Sequence, residues 1–80
     1  MLYLPLRYVS GQVRTPSGYT YEEGLSVLKS VTLAGGFTDK ASKRGIKIKR
    51  LTGKEEEILS VQLEDSVFPD DVIVLPESFF

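Results

Sequence analysis

Four carboxylates, Glu64, Asp65, Asp70 and Asp71, fall within eight positions, the residue type and density that a hard cation would need. Such a cation takes six or more oxygen ligands, and the spacing here matches no metal loop. A solvated acidic loop ahead of a strand accounts for the four, so no metal site is expected. Glu55, Glu56 and Glu57 read in the same way, as a polar turn and strand edge. Ser10, Ser17 and Ser66 would need a base to become nucleophiles, and the chain contains no histidine. It contains no cysteine either, which excludes disulfides and thiolate metal sites. An enzyme is not expected.

The second group is basic. Lys40, Lys43, Arg44, Lys47, Lys49 and Arg50 occupy eleven positions, and Lys54 follows. A nucleic-acid surface would use such charges against phosphates, but it would also interleave aromatic platforms for stacking, and there are none here. The plainer reading makes Lys47 and Lys49 the wet face of an amphipathic strand whose Ile46 and Ile48 face the core. Downstream of Lys54 the charged residues are all acidic, so the chain divides into a positive and a negative stretch around a net charge of −1. Tyr8, Tyr19 and Tyr21 make the third group. Their rings could present flat faces to a sugar, although tyrosine on a strand is commonly just packing.

The elements that must position these groups are legible. Eighty residues, 41% hydrophobic and 26% charged, make one small globular domain. Modest stability, helped by neighbours, is expected of it. No apolar run approaches the roughly 20 residues of a membrane helix. Pro5 and Arg7 interrupt any signal-peptide core in "MLYLPLRYVSG". A start directly on a strand and an end at Ser78-Phe79-Phe80 look like a domain cut from a longer protein, with Phe79 and Phe80 docking in the parent or opening its next segment.

Leu6 to Arg14 alternates as a strand, with Gly11 as a bulge or close-approach point. "TPSG" turns it into a short second strand over 19–21. Ser26 caps a helix over 26–34 by accepting from Leu28 or Lys29. Val27, Leu28, Val31 and Ala34 form its apolar face, and Gly35-Gly36 ends it. Phe37 folds back onto that helix, and 38–45 is a loop. "IKIKRL" (46–51) is the clearest strand. A turn at Thr52-Gly53 returns it along 56–63, setting Ile46 opposite Val61, Ile48 opposite Leu59 and Arg50 opposite Glu57. "VIVL" (72–75) reads as a central strand apolar on both faces. The expected fold is α+β: one short helix packed across a mixed sheet of about five strands, the β-grasp layout.

Several motifs occur in a linked order: Val9-Ser10-Gly11-Gln12-Val13, Gly24-Leu25-Ser26-Val27-Leu28, Leu33-Ala34-Gly35-Gly36-Phe37-Thr38, and Leu75-Pro76-Glu77-Ser78. From about Tyr8 to Phe80 the chain resembles the soluble-ligand-binding β-grasp (SLBB) domain of bacterial polysaccharide export proteins of the Wza type. Two departures stand out. Ser17 lengthens the first Pro-Gly turn, and Asp70 replaces the glycine of a Pro-Gly-Asp turn, where it should survive with some strain.

The resemblance implies a non-catalytic periplasmic module of an outer-membrane channel exporting capsular or extracellular polysaccharide. It supplies no cofactor and no catalytic group. It implies identical subunits in a ring as partners, along with the polysaccharide and an inner-membrane copolymerase, and neither nucleic acid nor direct membrane insertion. Ring closure needs a heterologous contact. The candidate subunit-interface residues are Lys43, Lys47 and Lys49 on the basic side, and Asp65 and Asp70 in the acidic loop. The saccharide-binding candidates are Tyr19 and Tyr21. The alternative is a β-grasp ligand-binding or adaptor module of another assembly: an inner-membrane, electron-transfer or DNA-uptake protein.

Overall fold

Strict alternation in "IKIKR" requires a partner strand whose apolar residues fall on the same face, and the chain supplies it after a two-residue turn. In the computed structural model, which describes residues 5–78, β3 (Lys47–Thr52) pairs antiparallel with β4 (Glu55–Ser60). The register sets Ile48 opposite Leu59 and Arg50 opposite Glu57. The Val61 amide donates to the Ile46 carbonyl and continues that register past the end of the strands. The expected pairing is therefore the observed one, although β4 stops at Ser60 and not at Leu63.

The first hairpin joins β1 (Leu6–Gly11) to β2 (Ser17–Thr20), so β1 is shorter than the alternation suggested and Tyr21 lies just beyond β2. The final strand, β5 (Val72–Leu75), runs parallel to β1 and antiparallel to β3. The five-stranded mixed sheet has the order β2-β1-β5-β3-β4, with β5 at its centre. Ile73 and Leu75 are buried on one face, while Val72 and Val74 are half-buried on the other. With one helix across a five-stranded mixed sheet, the fold is α+β in the β-grasp arrangement.

Seven residues are too few to hold a helix in water on propensity alone. α1 (Val27–Leu33) is held at its start instead. Ser26 caps it, its hydroxyl accepting from the Lys29 amide at 3.1 Å. The amides of Val27 and Leu28 donate to the carbonyls of Asp65 and Leu63, so the loop after β4 satisfies donors that a helix start leaves without partners. At the other end Gly35 and Gly36 both take positive φ, and the Gly36 amide returns to the Val31 carbonyl.

Val27, Val31 and Ala34 are buried against Val9, Ile46, Ile48, Ile73 and Leu75. Leu28, expected on this face, is 47% exposed. The inward position goes to Ser30, which is fully buried because it has a polar partner. The Arg7 guanidinium donates to the Ser30 hydroxyl at 2.9 Å and to the Thr20 carbonyl, and lies 5.2 Å from the centre of the Tyr19 ring. Arg7 is only 2% exposed and ties β1, β2 and α1 together. Burial pulls its pKa below the ordinary arginine value, against the opposing pull of Glu22 and Tyr19. Ser30→Ala leaves the Arg7 Nε–H without an acceptor, which should cost about 1–3 kcal/mol. A lower urea midpoint with an unchanged denaturant slope would show it.

Candidate functional site

β3 carries two residues of the basic cluster, Lys47 and Lys49, on its outer side. Because the strand alternates, Ile48 points to the helix, whereas Lys47 and Lys49 stand on the opposite face of the sheet and are exposed. The Lys47 ammonium donates to the Ser60 hydroxyl on β4 at 2.6 Å. Register places Lys49 between Ile58 of β4 and Val72 of β5. Lys43 is exposed in the loop before β3, its ammonium 5.7 Å from the centre of the Phe37 ring.

The last basic residue of the strand behaves differently. Arg50 keeps the parity of Ile46 and Ile48, so its side chain goes to the helix side, where sequence alone offered Glu57 as its cross-strand partner. The partner is Asp71. Its carboxylate accepts from Arg50 Nε at 3.0 Å and Nη2 at 2.8 Å, and from the Phe68 amide at 2.8 Å. The hydrogen bond to Asp71 is the largest influence raising the Arg50 pKa, ahead of the opposing effect of burial and the further pull of Asp71 and Glu57 charges. The Arg50 guanidinium sits over the Phe68 ring, with Cζ 4.0 Å from the ring centre. Asp71 is 0% exposed, so it is no part of a solvated acidic loop, which corrects the sequence reading. The Arg50 side chain is 23% exposed. Nothing in spacing identifies this pair, because Asp71 looks like its neighbour Asp70 until the 61–71 loop folds over the end of β3.

Asp70 is exposed and is the only non-glycine residue with positive φ (67°) among the described residues. The glycine of a Pro-Gly-Asp turn is thus replaced by a side chain that tolerates this conformation, as the sequence suggested. Asp70 and Lys49 line one depression of about 220 Å³ on the outer sheet face, together with Leu51, Glu56 and Val72. Asp65 is exposed elsewhere, its carboxylate accepting from the Gln62 amide at 2.8 Å. The fold therefore brings Lys49 and Asp70 together and leaves Lys43 and Asp65 apart from them.

Tyr19 and Tyr21 are half-buried against the core. The Tyr19 hydroxyl donates to the Thr15 carbonyl, and one side of its ring lies near Arg7. Among the described tyrosines Tyr8 is the one turned outward, its ring lying over the Gly18 backbone, where an added Cβ would come within 2.9 Å of Cε1. Phe79 and Phe80 lie outside the described residues. No cluster of three or more potential metal ligands occurs among the described residues.

The SLBB domain family model matches residues 7–60, more than half of the chain. The chain belongs to the SLBB domain family. The matched part runs from β1 to the end of β4, so it includes both hairpins and the helix and stops before β5. No curated protein matches the chain. SLBB domains are non-catalytic ligand-binding modules found in polysaccharide export and related proteins, and are typically extracellular or periplasmic. Among the described residues, no helix is long and apolar enough to cross a membrane.

Proposed function

We propose that this SLBB domain is a periplasmic module of a Wza-type outer-membrane polysaccharide export channel, where it contributes to ring assembly and contacts the exported saccharide. The carrying observation is the family match together with the export-type ending Leu75-Pro76-Glu77-Ser78. In this reading the 80 residues are part of a longer protein whose copies close into a ring, served by an inner-membrane copolymerase.

The sheet supports a specific form of the subunit contact. Lys47 and Lys49 project from the uncovered face, and Lys43 stands beyond its end. Asp65 and Asp70 are exposed on the loop after β4. Arg50 and Asp71 are withdrawn from any intermolecular role, since each is the other's partner within the chain. Each exposed pair contributes only about 0–1 kcal/mol, so the isolated domain should remain monomeric and only the multidomain assembly should register the sum. Reversing Lys43, Lys47 and Lys49 to Glu in the longer protein should reduce the ring fraction seen by negative-stain microscopy and native mass measurement. Rings in undiminished yield would remove the charge contact from the account.

A further inference from the structure

A cleft among the described residues lies away from the tyrosines and from the outer-face depression. It has a volume of about 430 Å³ and is lined by Lys43, Arg44 and Gly45 on one side, and by Ser60, Val61, Gln62 and Leu63 on the other. Two cations line it and no carboxylate does. We propose that this cleft binds an acidic sugar residue, a uronate ring, within an anionic polysaccharide. The assignment rests on the export reading for the source of the ligand, but the site itself stands on its geometry.

The backbone of both walls is tied down by hydrogen bonds within the chain. On the cationic side, the Ser42 hydroxyl donates to the Arg44 carbonyl and accepts from the Arg44 amide, and the Ser42 amide donates to the Pro76 carbonyl. On the other side, the Val61 amide is bonded to Ile46 and the Leu63 carbonyl accepts from the first turn of α1. Preorganised walls reduce the ordering cost of binding. The chemistry of the lining matches the two faces of a uronate. Lys43 and Arg44 suit a carboxylate, and a guanidinium can grip one with two parallel N–H bonds. Half-buried Val61 and Leu63 offer apolar surface to the C–H face of a pyranose. Ser60 and the Gln62 side chain supply donors and acceptors for ring hydroxyls. The Ser60 hydroxyl already accepts from Lys47, which leaves its O–H to donate. A bare inorganic anion would use the cations alone and leave the apolar wall uncovered.

The test is NMR titration of the 80-residue chain with a galacturonic acid trimer, with maltotetraose and sodium sulfate as controls. The uronate should shift the amides of residues 43–45 and 60–63 at millimolar concentration, and neither control should reproduce the pattern. Lys43→Ala/Arg44→Ala, two exposed positions, should weaken uronate binding at least tenfold with an otherwise unchanged spectrum. Lys49→Glu should leave it unaltered. Equal shifts with sulfate, shifts spread over every exposed lysine, or none at all would each overturn the proposal. Shifts confined to Tyr19 and Tyr21 would also overturn it while leaving saccharide contact standing. Those tyrosines sit at or beside β2, at the opposite edge of the sheet from β4, so the two patterns cannot be confused. Failure of the cleft is also separable from failure of the export reading, which is measured by polymer reaching the cell surface.

Discussion

Arg50→Met should destabilise the domain by about 3–5 kcal/mol, the cost of breaking a buried ion pair by removing one partner. Methionine keeps most of the aliphatic stem but no charge, so the loss is chiefly electrostatic. It strands the Asp71 carboxylate at 0% exposure with the Phe68 amide as its remaining donor among the bonds described. Arg50→Lys should recover only part of the loss, since an ammonium cannot present two parallel N–H groups to one carboxylate. Arg50→Met combined with Asp71→Leu should recover more, because replacing both charges removes the penalty that breaking the pair creates. Urea denaturation of the three variants checks this. A loss below about 1 kcal/mol in Arg50→Met would mean that the pair does not hold the loop. The Arg50 pKa is raised in the folded chain. Its contribution is thus fully present below the ordinary unfolded arginine value and is lost only as pH rises through the still higher folded value. The pair should therefore show no loss on the arginine side at any working pH.

The second large effect is expected at Gly11. Its φ is +88°, and an added Cβ would lie 2.2 Å from the Leu75 carbonyl oxygen. That oxygen belongs to backbone in the centre of the sheet. It also accepts from the Gln12 amide at 3.0 Å, so it cannot move aside cheaply. Positive φ in a non-glycine residue and overpacking each cost about 1–3 kcal/mol. Gly11→Ala should therefore lose about 2–6 kcal/mol, corresponding to a fall in melting temperature of about 8–48 °C for a domain of this size. A melting temperature within a few degrees of the parent would show that β1 and β5 can separate without penalty, contrary to the pairing described.

The residues that made the fold legible are those whose neighbours lie close in sequence. Alternation in "IKIKR" and a short turn fixed the β3–β4 register. Ser26 announced the helix start, and the apolar run 72–75 announced the central strand. Gly11 stood out as a close-approach point, though not what it approached. What stayed hidden were the polar groups whose burial depends on distant partners. Arg7 at first looks only like an interruption in an apolar start, yet it shares the parity of Val9 and so was bound for the inside. Ser30 displaced Leu28 from the helix face because Arg7 was waiting for it. Asp71 could not be told from Asp70 by residue type or spacing. For the same reason the list of charges did not become a site until Lys49 and Asp70 were seen to share one depression, and Lys43 and Arg44 another cleft. Long-range pairing, not local pattern, decides which charges stay on the surface.

In the function proposed above, this domain serves polysaccharide export. The most direct measurement is surface polysaccharide on cells in which residues 6–78 are deleted in frame from the protein that carries them, with expression of the shortened protein verified. The account predicts that polymer disappears from the surface while its synthesis continues and material accumulates inside the envelope. Surface polymer at the parental level would contradict it.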